Sequence, residues 1–152
     1  MTPTNTGDGA GTGHRSAVLA FYDDVWNHRS KARVPDLFHQ DFAFRGSLGP
    51  EKRGYAEFCD YLDAVTGALA DYVCTVQTVV VEADRAFAKV LFSGVHRAEL
   101  LGFPPTGKRV CWIGAALFTF VGEKISDLWV LGDLDGLRRQ LAENAASAGL
   151  QS

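Results

Sequence analysis

Apolar side chains recur at three- and four-residue spacing in the first half of the chain, which is the period of an amphipathic helix. From Ser16, the segment SAVLAFYDDVWN carries its apolar residues on one side and Asp23 and Asp24 on the other. The segment EKRGYAEFCDYLDAVTGAL, which starts at Glu51, repeats this spacing. Two amphipathic helices are therefore predicted, with a strand-like stretch over residues 41–46 between them.

After Gly67 the pattern changes, because β-branched and aromatic residues dominate and short turns separate the runs. The sequence predicts four long strands: Tyr72 to Val81, Arg85 to Arg97, Lys108 to Phe120 and Lys124 to Gly132. The VGEK turn between the last two strands predicts a hairpin, and DLDGLRRQL predicts a final helix. This order indicates an α+β fold, in which a curved antiparallel sheet buries one face under the preceding helices and leaves a pocket between the two layers.

Length and composition place these elements in one domain. The chain has 152 residues, of which 47% are hydrophobic and 22% are charged. We expect a disordered lead-in over residues 1–13, one domain over residues 14–145 and a tail over residues 146–152. A net charge of -3 without a basic stripe argues against a nucleic-acid partner. No apolar run approaches the roughly 20 residues that span a bilayer, so we expect no membrane partner.

The cysteines and the first residues bear on the cellular compartment. Cys59, Cys74 and Cys111 are odd in number and lie among apolar residues, which favours reduced cysteines that fill the core. The opening MTPTNTGDGAGTGH lacks the cationic and apolar regions of a secretory signal. We expect a cytoplasmic protein.

Strand alternation sorts candidate site residues by face. In the strand from Arg85, the apolar and therefore buried set ends in His96, which we expect to be a core group with one satisfied nitrogen and keep as a pocket candidate. In the last strand one face is predicted to carry, in order, Ile125, Asp127, Trp129, Leu131 and Asp133.

Two aspartates compete to cap the final helix, since either Asp133 or Asp135 can accept the free amides of its first turn. If Asp135 is the cap, Asp133 can point into the pocket beside Trp129. A carboxylate on such an apolar floor would be desolvated, which favours its protonated form and suits an acid/base.

Several other chemistries lack support in the sequence. The four histidines show no paired ligand spacing, so neither a metal nor a bound cofactor is predicted. GDGAGTG has no strand before it and is linker composition. Ser47 follows Arg45 where a nucleophile elbow requires Gly two residues before the serine, so a serine triad is not predicted.

The chain resembles a known family, and the motifs that carry the resemblance lie in its second half. The segments GVHRAELLGFPPTGK, FTF followed by GEKI, and WVLGDLDGLRRQL resemble the SnoaL-like polyketide cyclases, or ester cyclases, of the ketosteroid isomerase-like superfamily, over roughly residues 17–141. The resemblance implies a cone-shaped α+β barrel, usually a homodimer, with a deep apolar cavity and an aspartate acid/base after the last long strand. The spacing W-x-x-x-D matches that aspartate to Asp133. Asn27 matches a position where an Asn or Asp reaches the ligand.

The chain departs from many relatives at Leu131 and Gly132, where a polar or aromatic residue often assists the acid/base. His96, Arg45 and Asn27 are the candidate substitutes. Asp133 and His96 are thus the catalytic candidates. The expected substrate-binding residues are Trp26, Asn27, Arg45, Phe58, Leu62, Phe92, Trp112, Trp129 and Leu131.

The leading hypothesis is a cofactor-free cyclase or isomerase that acts on an apolar or aromatic small molecule with an activated carbonyl. Asp133 would remove an α-proton, and the enolate would attack a second carbonyl in the same molecule. One alternative is an epoxide hydrolase or hydratase in the same pocket, for which a second carboxylate or Arg45 should lie within hydrogen-bond reach of Asp133. The other is a non-catalytic binding module in which Asp133 is only a helix cap.

Overall fold

The computed structural model describes the backbone of residues 4–151 and the side chains of residues 11–148. The elements in chain order are α1 (Thr4–Ala20), a π-helical segment (Phe21–Asn27), a 3-10 turn (Lys31–Arg33), α2 (Val34–Leu37), β1 (Phe38–Arg45), β2 (Glu51–Arg53), α3 (Gly54–Ala68), β3 (Leu69–Glu82), β4 (Arg85–His96), β5 (Arg109–Val121), β6 (Lys124–Gly132) and α4 (Leu134–Gln151). Within the described residues, no helix combines the length and apolar character needed to cross a bilayer.

One curved sheet of six strands, in the order β2-β1-β6-β5-β4-β3, packs its concave face against the helices. The predicted cone-shaped α+β fold is therefore confirmed. The prediction of a wholly antiparallel sheet is wrong, because β1 pairs parallel to β6. Alternation within a strand reports which side chains are buried and carries no information on the direction of the neighbouring strand, so the sequence could not show this pairing.

Burial in β4 follows the predicted alternation. The buried residues of this strand are Ala86, Ala88, Val90, Phe92, Gly94 and His96. The faces of β4 were readable from sequence because its pairing with β5 continues without a register shift from Arg85↔Thr119 to Val95↔Arg109.

Burial in β6 departs from the prediction because this strand contains a bulge. Phe120 pairs with Ile125, but Thr119 pairs with Asp127, so one extra residue, Ser126, is inserted in β6. A slip of one residue exchanges the two faces of a strand. The buried residues after the bulge are therefore Leu128 and Val130, whereas Trp129 and Leu131 are 42% and 52% exposed on the outer face.

The two ends of the chain are more helical than expected. Helix α1 begins at Thr4, inside the expected lead-in, and α4 continues to Gln151 through the expected tail. The rest of these expectations, residues 1–3 and 152, lies outside the described residues. The buried ring of His14 fastens α1 to the sheet, since it stacks on Phe120 with 4.0 Å between ring centroids.

All three cysteines are free, but their environments differ. Cys74 is buried in the core, Cys59 is half-buried and Cys111 is exposed. The prediction of core cysteines is confirmed for Cys74 and wrong for Cys111, whose strand turns it to the outer face.

Candidate functional site

The interior of the cone contains an aromatic-walled cavity of about 20 Å³, which is enough room for one water molecule. Three of its lining residues lie in the π-helical segment, a form of helix that recurs at functional sites. The strands, α3 and the loop after β1 supply the others. The lining residues are Phe21, Tyr22, Trp26, Phe44, Gly46, Ser47, Tyr61, Tyr72, Phe92 and Val130.

The structure brings five of the predicted substrate-binding residues into this interior. All are buried: Trp26, Phe58, Leu62, Phe92 and Trp112. Trp26 and Phe92 line the cavity itself. Phe58 supports Trp26 edge-on at 5.8 Å between ring centroids, and Trp112 lies 5.3 Å from Phe92.

Four hydroxyl-bearing residues of the cavity wall, Tyr22, Ser47, Tyr61 and Tyr72, were missed by sequence reasoning. The Trp112 indole N–H donates to Ser47 Oγ at 3.3 Å, and the Leu48 backbone N–H donates to the Tyr61 hydroxyl at 3.1 Å. Tyr22 and Tyr61 lie at apolar positions of the helical pattern, where only their rings were counted. A buried tyrosine usually needs a hydrogen-bond partner, and that was the available signal.

Tyr22 is the unusual member of this set, since its side chain is 2% exposed and its hydroxyl has no hydrogen-bond partner within the described part of the chain. Burial raises the pKa of Tyr22 well above its ordinary value. The same cause raises the pKa of Tyr61 to about 12. The cavity therefore presents neutral hydroxyl donors, and its lining contains no Asp, Glu or His that could act as a base.

Asp133 lies on the surface and caps α4. Its Oδ1 accepts the Gly136 backbone N–H at 3.0 Å, and its carbonyl accepts the Leu137 N–H at 3.2 Å. Asp135 is exposed and forms an ion pair with Arg139 at 3.3 Å. Asp133, rather than Asp135, is thus the cap. The alternative in which Asp135 caps and Asp133 points into the pocket beside Trp129 is therefore not the one observed, and the bulge in β6 turns that face outward.

A single residue separates Asp133 from the polar corner of the interior. A Cβ on the preceding residue, Gly132, would lie 2.7 Å from Ser47 Cβ and 3.0 Å from Trp112 Nε1. The chain must therefore carry glycine at this close approach. Asp133 consequently lies on the surface directly after the residue that covers Ser47 and Trp112.

His96 is fully buried at the end of β4 and is not among the cavity-lining residues. Its Nδ1 accepts the Thr106 backbone N–H at 3.3 Å and lies 3.2 Å from Thr106 Oγ1. Nε2 has no hydrogen-bond partner within the described residues. The prediction of a core histidine with one satisfied nitrogen is confirmed.

Asn27 and Arg45 are both engaged with backbone groups. Asn27 Nδ2 donates to the Cys74 carbonyl at 2.9 Å, and its Oδ1 accepts the Cys74 N–H at 2.8 Å, so it ties the helical segment to the edge strand β3. Arg45 donates to the Val130 carbonyl at 2.7 Å and lies over the Trp129 ring, 5.8 Å from its centroid. Arg45, Trp129 and Leu131 thus lie together on the outer side of the sheet.

A larger open cleft of about 340 Å³ lies outside the interior cavity, beside α3. Tyr61 lines both the cleft and the cavity. The remaining cleft residues are Leu48, Gly49, Pro50, Lys52, Asp60, Ala64, Val65, Ala68, Glu99, Leu100 and Leu101.

One surface group among the described residues, Asp23, Asp24 and His28, has ligand atoms within 4.8 Å of one another. Its members are already engaged, since Asp24 forms an ion pair with Arg33 at 3.1 Å and His28 Nδ1 lies 2.8 Å from the Asp23 carbonyl. This group by itself does not constitute a metal site.

Comparison with known proteins places this geometry in context. The sequence profile of SnoaL-like polyketide cyclases matches residues 16–141. A SnoaL-like protein from Jannaschia sp. CCS1 shares the fold with a TM-score of 0.77 at 18% identity, covering 91% of this chain and 93% of that one. TsrD from Streptomyces laurentii has a TM-score of 0.75 at 24% identity, with 86% and 95% covered. A SnoaL-like polyketide cyclase from Agrobacterium tumefaciens has a TM-score of 0.70 at 21% identity, and the match covers 84% of this chain and 96% of that one. No curated protein sequence matches the chain.

Proposed function

The chain belongs to the SnoaL-like polyketide cyclase family, and from this premise we propose that it is a cofactor-free cyclase for an apolar or aromatic carbonyl compound. The observation that carries the proposal is the unpartnered Tyr22 hydroxyl in the aromatic cavity. A buried hydroxyl without a partner costs about 1–3 kcal/mol, and a ligand carbonyl bound there would remove that cost. The cavity requires the surrounding side chains to move before it accepts more than one water-sized group.

The reaction needs a base on the surface and a donor in the interior. Asp133 takes the α-proton of the substrate, the enolate carbon attacks a second carbonyl carbon, and the protonated Asp133 returns this proton to the new alkoxide oxygen. Tyr22 donates a hydrogen bond to the enolate oxygen, because its raised pKa keeps it neutral. A positioned base of this kind contributes a factor of about 10² to 10⁴ to the rate.

Proton exchange tests the role of Asp133 without knowledge of the natural substrate. Ethyl benzoylacetate, an aryl β-keto ester, is incubated with the protein in D₂O, and loss of the α-proton signal is followed by NMR above the buffer rate. We expect Asp133→Asn to lower the protein-dependent rate by about 100-fold or more. Asn is as good a helix cap as Asp, so this change leaves the fold intact.

Asp135→Asn is the matched control, since Asp135 lies two residues on and is exposed. With this variant, the α-proton of ethyl benzoylacetate should exchange at the same rate as with the native protein. Equal rates in the native protein and Asp133→Asn would refute the catalytic role of Asp133.

A non-catalytic binding module is the second candidate, and the hydrogen bond from Gly136 to Asp133 favours it, because a cap accounts for this carboxylate without chemistry. In that case Asp133→Asn changes neither ligand binding nor exchange. The hydrolase alternative has less support, since Arg45 is directed to Val130 and Trp129, and the ion pairs among the described residues do not include Asp133.

We further propose that the partner of this chain is a second copy of itself. Phe87, Leu117 and Trp129 are direct neighbours across β4, β5 and β6, and Leu131 lies next to this row. Phe87, Trp129 and Leu131 are exposed. A contiguous apolar patch on an outer sheet face is typical of a protein interface.

A further inference from the structure

We propose that the open cleft beside α3 is an outer subsite for the substrate and that the Tyr61 ring is the door between this cleft and the interior cavity. This inference rests on the proposed function, which supplies the occupant: an elongated, apolar carbonyl compound. The inner part of the compound would displace Tyr61, and its outer part would remain in the cleft.

The size and walls of the cleft fit such a ligand. Its volume of about 340 Å³ is within the usual range for small-molecule sites, whereas the interior cavity of about 20 Å³ is far below that range. Most of the cleft lining is apolar: Ala64, Val65 and Ala68 come from α3, and Leu48, Pro50, Leu100 and Leu101 come from two loops. Lys52, Asp60 and Glu99 are the charged residues of the lining.

Tyr61 separates the two spaces because the loop after β1 wraps around its ring. A Cβ on Gly46 would collide with the hydroxyl end of the ring, and one on Gly49 would lie 3.1 Å from Cε1. The hydroxyl accepts the Leu48 N–H at 3.1 Å and forms a second hydrogen bond with Ser47, while the ring packs edge-on against Trp26 and Phe44. Rotation of the Tyr61 side chain breaks the hydrogen bonds to Leu48 and Ser47 and joins the cavity to the cleft.

The turn on the far side of the cleft supplies an independent observation. Leu100 and Phe103 exchange two backbone hydrogen bonds of 3.0 and 2.9 Å around a two-residue turn. Leu101 in this turn has φ 50, a left-handed conformation that costs a residue other than glycine about 1–2 kcal/mol. An apolar side chain is thus held over the cleft where Asn or Gly would be less strained, and such strain is typical of ligand-contacting positions.

The first experiment compares the dissociation constants of ethyl benzoylacetate and benzyl benzoylacetate, measured by quenching of intrinsic tryptophan fluorescence. The benzyl ester adds one aromatic ring, and its burial in the cleft should make binding at least about tenfold tighter. Ala64→Trp fills the cleft from an exposed position of α3 and should abolish this preference. Ala56→Trp is the matched control on the same helix outside the cleft, and it should keep the preference.

The second experiment measures association rates by stopped-flow fluorescence. Tyr61→Ala removes the door and should accelerate association about tenfold or more. Gly49→Ala places a methyl group against the ring and should slow it, which keeps the test decisive if Tyr61→Ala fails to fold.

Two results would overturn the inference: equal affinity of the two esters for the native protein, or a benzyl preference that survives Ala64→Trp. Unchanged association rates in Tyr61→Ala and Gly49→Ala would show that the Tyr61 ring does not control passage from the cleft to the cavity. These readouts report binding alone. A failure of the catalytic proposal, seen as unchanged proton exchange in Asp133→Asn, is therefore distinguishable from a failure of the outer subsite.

Discussion

At the scale of single residues, the position of Asp133 matters most. The residue caps α4 with Oδ1, while the chain just before it closes over Ser47 and Trp112. The structural role and the proposed catalytic role therefore meet in one carboxylate. They can be separated because Asn preserves the cap and removes the acid/base, whereas Ala removes both.

Asp133→Ala should lower the free energy of unfolding by about 1 kcal/mol, because the Gly136 N–H loses its acceptor. Asp133→Asn should change it by only a few tenths of that amount. Urea denaturation followed by circular dichroism measures both. If Asp133→Asn lowers the free energy of unfolding as much as Asp133→Ala does, the negative charge of Asp133 stabilises the helix. Asn would then not be an equivalent cap.

The buried thiol of Cys74 should resist alkylation. Burial raises the pKa of Cys74 to about 12, so at pH 8 almost none of it is the reactive thiolate. Cys111 is exposed. Mass spectrometry after iodoacetamide treatment of the folded protein should show Cys111 modified first and Cys74 only after denaturation. Prompt modification of Cys74 in the native protein would contradict the closed interior.

At the scale of elements, His14 links three of them. Its ring nitrogens lie 3.1 Å from the carbonyl oxygens of Ala83 and Gly122, at the tips of the β3–β4 and β5–β6 hairpins. The imidazole of α1 thereby joins two turns that are distant in sequence. This explains how a helix that starts in Gly- and Thr-rich sequence docks on the sheet.

His14→Phe should lower the free energy of unfolding by about 1–3 kcal/mol, because it retains the stacking on Phe120 but loses both polar contacts. His39→Phe is the control, since His39 is only half-buried and contacts one carbonyl, that of Val121. His39→Phe should lower the free energy of unfolding by less than His14→Phe does. Comparable losses in chemical denaturation would mean that the contacts of His14 add nothing beyond those of a surface histidine.

At the scale of the whole molecule, the two faces of the curved sheet differ in what they contact. The concave face encloses the aromatic cavity, and the convex face carries the apolar row that contains Trp129. Because the bulge in β6 directs Trp129 outward, this residue belongs to the proposed dimer surface and not to the substrate site for which sequence reasoning selected it.

Trp129→Lys should convert the proposed dimer to a monomer, because a charge in the centre of an apolar interface remains unpaired. Sedimentation velocity of the native and variant proteins measures the change. Val121→Lys is the control, since Val121 is 59% exposed but lies at the end of β5, outside the apolar row. A native protein that sediments as a monomer would refute the homodimer.

The sequence by itself determined the features that depend only on neighbours along the chain. The 3.6-residue period marked the buried faces of α3 and of the helical segment around Trp26, and strict alternation placed Phe92 and His96 inside β4. Five of the nine expected substrate-binding residues are buried in the interior for this reason. The family resemblance, carried by local motifs, is confirmed in the same way.

Only the tertiary structure decided the features that depend on pairing between distant segments. One inserted residue, Ser126, reversed the faces of β6 and moved Trp129, Leu131 and Asp133 to the outside. The parallel pairing of β1 with β6 and the missing partner of Tyr22 are likewise set by segments far apart in the chain. Local periodicity cannot encode a register shift, because the shift exists only between two strands.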